Sequence, residues 1–223
     1  NERQMISHRL ERATALFIGK DFEFAAPNFE RQYIRLLEKF TTLKILAYAE
    51  QVHGAECVEV RLKAQNGVVC MGKADALFTR QKNTALLIRT ADCMPILLVS
   101  EKDGVVGAVH AGWRGLEKKI LTQTLASASV AAKNIHLAIG PFIGSASYEV
   151  GEEVAEKFSS TCSARKANGK YLLNLRTVLE KELNALGALP QQITWFGEDT
   201  FSNTQWYSAR RGESGRNLAV VFQ

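Results

Sequence analysis

Between residues 45 and 110 the chain is a succession of short apolar runs, each closed by glycine, asparagine, proline or charged residues. The runs fall at 45–49, 58–62, 74–79, 85–89, 95–99 and 105–110. Most are β-branched or alternate apolar with polar residues, the pattern of buried strands. So many strands in succession leave too few helices for a simple βαβ alternation. Helical spacing is found on the flanks of this block. Phe29, Tyr33, Leu36, Leu37 and Phe40 recur at helical intervals over 29–40. Segments 116–125, 149–158 and 175–186 read as further helices, the last closed by Gly187 and Pro190. Strands at 134–140, 193–196 and 218–222 complete the set. The sequence therefore predicts an α+β chain, a mixed sheet layer flanked by helices. With no repeat or linker to divide it, residues 1–223 read as a single domain.

Composition narrows the function. Of 223 residues, 46% are hydrophobic and 23% charged, enough to close a core. A net charge of +5 is mild, and the basic residues are scattered, with Lys118-Lys119 and Arg210-Arg211 no more than pairs. That excludes a nucleic-acid binder, which would carry a basic stripe, and suits a small anion. The longest apolar runs, such as 95–99 and 218–222, are too short to span a bilayer. The N-terminal stretch has no apolar signal region, so no membrane association and a cytoplasmic location are expected. The cysteines Cys57, Cys70, Cys93 and Cys162 form no CxxC pair and no disulfide framework.

Two imidazoles and one of these thiols stand at run edges beside glycine or proline: His53 in Gln51-Val52-His53-Gly54, Cys93 in Thr90-Ala91-Asp92-Cys93-Met94-Pro95, and His110 before Ala111-Gly112-Trp113-Arg114-Gly115. One thiolate and two neutral histidines form a tripod that holds zinc with an open fourth position. An open position lets a metal activate water or polarise a substrate. Against this, a cysteine in an apolar run is often core filler, and a histidine beside glycine is often a turn residue. Spacing alone leaves both readings open. Asp92 is the carboxylate nearest the thiol, but strand adjacency points it away, which makes it an orienting group. Arg114, at the mouth of the helix predicted over 116–125, suits phosphate or carboxylate. Arg210, Arg211 and Arg216 lie in a second basic, glycine-bearing loop at 207–216 and are further anion candidates, although a solvated hairpin would look the same.

The motifs QVHG, ADALFT, TADCMPILLV, GAVHAGWRGL, IGPFIGSASYEVGEEV and YSARRGESGRNLAVV occur here in the order seen in the YfiH-like family, which the chain resembles over roughly residues 45–223. That family is known as laccase-like polyphenol oxidase, as peptidoglycan editing factor, and as purine nucleoside phosphorylase with adenosine deaminase activity. The resemblance implies a single αββα-type layered sandwich with mixed sheets and a zinc held by His53, Cys93 and His110. The chain departs from the family pattern in its first 24 residues, where only Gly19-Lys20-Asp21 is similar to the family's acidic turn. It also has Phe142 and Glu198-Asp199-Thr200 where the family often has cysteine. Soft ligands select copper, so these missing thiols favour zinc, with copper the lesser alternative.

The resulting expectation is a zinc-dependent purine nucleoside phosphorylase acting on inosine, adenosine or methylthioadenosine, with adenosine deaminase activity. Its partners would be a small-molecule nucleoside and phosphate. Cys93, His110 and Asp92 would be catalytic, and Arg114, Arg210, Arg211 and Arg216 would bind phosphate. Three alternatives stand beside it: a cysteine-type amide hydrolase editing cell-wall precursors, with Cys93 as nucleophile and His110 as base; a copper polyphenol oxidase; and a non-catalytic zinc-stabilised binding module.

Overall fold

Two six-stranded sheets take up nearly all the apolar runs. In a computed structural model, which describes residues 5–20, 29–63 and 66–223, the first sheet runs Met5–Leu10, Ala13–Ile18, Asn217–Phe222, Thr84–Thr90, Ile45–Glu50, Gly67–Lys73 from edge to edge. The second runs Ile193–Trp195, His136–Ile139, Met94–Ser100, Val105–Ala111, Ala76–Thr79, Cys57–Glu59. Both are mixed: Ile45–Glu50 pairs parallel with both of its neighbours, whereas Met94–Ser100 and Val105–Ala111 pair antiparallel. A small three-stranded sheet, Glu149–Val150, Tyr171–Leu173 and Ser163–Arg165, lies apart from them.

The strands are apolar on both faces because both faces are covered. Successive side chains of Met94–Ser100 alternate between two cores. Leu97 and Val99 join Phe17, Ala47, Ile88, Val106, Ala138 and Val221 between the sheets. Ile96 and Leu98 face Leu121, Leu125, Leu179 and Leu183 of the helices Ile120–Ser127 and Leu175–Leu186. On the other side, helix Phe29–Lys39 lays Tyr33 and Leu36 on Leu46, Leu87 and Val220 of the first sheet. The order helix, sheet, sheet, helix is the αββα sandwich that the resemblance implied.

Several elements differ from the sequence reading. The helix predicted over 116–125 is two helices, Trp113–Glu117 and Ile120–Ser127, separated at Lys119, which is left-handed with φ 55°. The helix predicted over 149–158 shrinks to Glu152–Ala155, because Glu149–Val150 is a strand. The predicted strand over 134–140 begins only at His136, after a short 3₁₀ turn. The hairpin Met5–Leu10 with Ala13–Ile18 and the edge strand Gly67–Lys73 were not foreseen. Asp21 of the Gly19-Lys20-Asp21 turn lies outside the described residues.

Candidate metal centre

The chain passes between the sheets in ways that bring the three ligand candidates to one end of the sandwich. His53 lies on the connection from Ile45–Glu50 of the first sheet to Cys57–Glu59 of the second. Cys93 ends the tight turn from Thr84–Thr90 of the first sheet to Met94–Ser100 of the second. His110 is the penultimate residue of Val105–Ala111 and pairs across the ladder with Pro95, two residues after Cys93. One ligand atom from each of His53, Cys93 and His110 lies within 4.8 Å of the others. The two imidazole rings stand edge to face, with centroids 4.9 Å apart. His53 is exposed, Cys93 half-buried and His110 buried, so the group opens to solvent on one side.

Glycine makes room for the sulfur. Gly112 starts the helix Trp113–Glu117, and a Cβ there would stand 3.0 Å from Cys93 Sγ and 3.6 Å from His53 Cδ2. Backbone strain is found at the same place. His53 has φ 58° and Asp92 φ 88°, both in the left-handed region that non-glycine residues seldom occupy. Such strain persists only where the surroundings hold it.

Two carboxylates hold it. Asp92 Oδ1 accepts from Thr200 Oγ1 at 2.8 Å and Oδ2 accepts from Arg210 N at 2.7 Å. Asp92 thus ties the Cys93 turn to the loop that precedes the last strand. Asp75, wholly buried at the start of Ala76–Thr79, accepts at Oδ1 from His53 N at 3.0 Å and is joined there by His110 Nδ1 at 2.8 Å. Its Oδ2 accepts from Gly54 N at 2.6 Å and from Val52 N at 3.2 Å. The sequence reading missed Asp75. The available signal was an acid inside the apolar run 74–79, where an unpartnered carboxylate would be too costly to bury.

These contacts set the charges. Burial alone would push the Cys93 thiol up, but the neighbouring His110, and then His53, pull it down to about 6. Burial would push His110 down, but the Cys93 thiolate and Asp75 raise it to about 9. Asp75 stays below the usual carboxylate range: its hydrogen bonds from His110, Gly54 and Val52 outweigh its burial. Both shifts favour a thiolate at Cys93 beside an imidazolium at His110.

Two grooves meet at the thiol. One, of about 270 Å³, is lined by Phe29, Gln51, Arg89 and Arg216. The other, of about 400 Å³, is lined by Trp113, Arg114, Tyr148 and Arg210. His53, Ala91, Cys93 and Ala209 belong to both. In the second groove Arg114 lies over the Trp113 ring at 4.4 Å and Arg210 over the Tyr148 ring at 5.4 Å. Arg211 is elsewhere. Its guanidinium is spent on the carbonyls of Thr200, Phe201 and Trp206 and on Glu213, so it braces the loop and leaves no fork for an anion. The helix at Gly112 is a single short turn, and the sulfur of Cys93 packs at its start.

The family model for multi-copper polyphenol oxidoreductase laccase matches residues 25–223. The chain belongs to that family. Members of it and similar proteins carry several names. A Haemophilus influenzae protein called purine nucleoside phosphorylase is 32% identical over 84% of this chain and 78% of its own length. The Shigella flexneri purine nucleoside phosphorylase YfiH is 32% identical over 78% of this chain and 72% of its own. Those names describe those proteins. Among solved structures, Bacillus licheniformis YfiH superposes with a TM-score of 0.87 at 22% identity, covering 100% of this chain and 97% of its own. Geobacillus stearothermophilus YlmD gives 0.82 at 25% identity, covering 96% and 93%. These likenesses match the mixed-sheet sandwich.

Two expectations are corrected by the family match and the donor set. The laccase family model, together with a thiolate flanked by two imidazoles, fits copper better than zinc. The zinc-dependent nucleoside phosphorylase and deaminase reading therefore gives way to a copper-binding, laccase-like site. The argument from missing thiols failed for a physical reason. Cys93 already supplies the soft ligand, and with His53 and His110 it makes the His₂Cys set that copper favours, so thiols at 142 or 198–200 are not needed for it. The metal-binding triad and the family membership support catalytic activity. No helix among the described residues is long and apolar enough to cross a membrane.

Proposed function

We propose that this protein is a copper-dependent oxidoreductase acting on phenols, with His53, Cys93 and His110 holding the metal. The donor set carries the reading: a thiolate and two imidazoles gathered within 4.8 Å on a rim open to solvent. Copper in such a set would supply one-electron redox chemistry. The chain's own residues do the rest. Cys93 is held as a thiolate, and His110 is oriented by Asp75 so that its second nitrogen faces the sulfur. The second groove offers aromatic walls, Trp113 and Tyr148, each backed by an arginine, against which a planar ring can stack. Asp92 maintains the loop that carries Arg210. Four phenols bound there in turn would each give up one electron and the hydroxyl proton, and one dioxygen would take up the four electrons and four protons as two waters.

Metal analysis and turnover together test this. Protein reconstituted with copper and then desalted is expected to retain about one copper per chain, in line with the single tripod. It should oxidise a simple diphenol, and Cys93→Ala and His110→Ala should each lose both properties. Retention of stoichiometric zinc in preference to copper, with nucleoside turnover and no phenol oxidation, would overturn the proposal.

A further inference from the structure

We propose that Asp75 is the positioning residue of the metal centre: one carboxylate oxygen, Oδ1, sets both imidazoles at once, through the ring of His110 and the backbone of His53. The inference rests on the reading of His53, Cys93 and His110 as the metal-holding set. It concerns a residue that touches neither metal nor substrate.

The geometry leaves little freedom. Four N–H donors converge on two oxygens, the pair from His110 Nδ1 and His53 N on Oδ1, the pair from Val52 N and Gly54 N on Oδ2. Engaging Nδ1 fixes the His110 tautomer and leaves Nε2 as the atom turned to the thiol and the metal. Engaging three successive backbone N–H groups folds residues 52–54 around the carboxylate, the concave arrangement in which amides cradle an anion. That cradle keeps His53 at φ 58°, a conformation it would otherwise leave. His110 and His53 lie 35 and 22 residues from Asp75 in sequence. A shift of this one carboxylate therefore moves both imidazole ligands at once.

Asn is the informative replacement. Its amide has one acceptor oxygen, and its NH₂ would face two donors. Turned one way, it loses the His110 ring and the His53 amide. Turned the other, it loses the Val52–Gly54 turn. The strand pairing survives in either case, because His110 N donates to the Asp75 backbone carbonyl at 2.8 Å and Asp75 N donates to the carbonyl of Glu56. The defect should thus appear in the site and not in the sheet.

The test compares wild type, Asp75→Asn and Cys93→Ala as full chains, titrated with Cu(II) and in parallel with Co(II). Co(II) bound to thiolate gives a charge-transfer band. Asp75→Asn is expected to bind both ions 10- to 100-fold more weakly, with a shifted Co(II) band. Nitrogen-15 NMR of metal-free wild type should show a slowly exchanging, downfield Nδ1–H on His110, which is lost in Asp75→Asn. Unchanged affinity and band in Asp75→Asn would overturn the inference, as would a wild type lacking the protected Nδ1–H. The wild-type NMR decides the matter if the variant does not fold. Wild-type-like metal binding by Cys93→Ala would instead remove the metal-set reading, whatever Asp75→Asn does.

Discussion

A thiol held against the buried His110 imidazole ionises together with it, and the metal must compete with protons for the same atoms. Cys93 gives up its proton near pH 6 and His110 keeps its own to about 9. Binding requires a thiolate and a neutral imidazole. Between those values the thiolate is ready and one proton must leave His110. Raising the pH from 6 to 9 should therefore strengthen copper binding about tenfold per unit, more steeply below 6 and flat above 9. A competition titration across this range checks the slope, and affinity independent of pH between 6 and 9 would show that His110 is neutral in the free protein or not a ligand. At this scale much of the site could be read from the sequence. His53, Cys93 and His110 were candidates by their chemistry and their place at run edges, and the family motifs joined them where spacing alone left the readings open. Asp75 was not a candidate, because it sits far from both partners in the chain and its importance is a matter of which strands neighbour which. Arg211 misled for the same reason: a basic loop in sequence does not reveal which guanidinium turns inward.

Elements were legible where one face alone decides. Helix Leu175–Leu186 has the boundaries its spacing predicted, with Asn174 accepting from Thr177 N at the start and Gly187 left-handed at the end. The segment after Gly112 was not legible, because the break falls at Lys119, a non-glycine residue at φ 55°, and carries no glycine or proline. That short helix matters to the centre through its first residue. Gly112 has φ −77°, so alanine fits its backbone, yet the added methyl would press on Cys93 Sγ from 3.0 Å. Overpacking of this kind costs about 1–3 kcal/mol. Gly112→Ala should accordingly weaken copper binding roughly tenfold and lower the melting temperature of the metal-free protein by a few degrees. Calorimetric titration and a thermal melt read the two quantities. A variant that binds copper normally would show that the sulfur has room to retreat.

In the whole molecule His53 and Cys93 lie on separate connections between the two sheets and His110 on a strand of the second, so a metal held by all three would tie both connections to that sheet. Whatever binds the folded state alone adds to its stability, by about 2.7 kcal/mol when free ligand is a hundredfold above its dissociation constant. For a chain of this size that amounts to roughly 5–10 °C in melting temperature. Scanning calorimetry of copper-loaded protein, with and without a chelator, should show this difference. Equal melting temperatures would show that copper does not bind the folded state in preference to the unfolded chain. The layered architecture itself was half visible in the sequence. Short apolar runs with helical segments on their flanks signalled a mixed sheet layer flanked by helices, but which run joins which depends on long-range pairing that local pattern does not encode. The strand Asn217–Phe222 illustrates this: it lies between Ala13–Ile18 and Thr84–Thr90, in the interior of the first sheet. Because a ribosome delivers residues 217–222 after everything they pair with, the two halves of that sheet must wait unjoined while the rest of the protein is made. The loop that fastens Asp92 through Thr200 Oγ1 and Arg210 N likewise emerges long after the Cys93 turn that it braces.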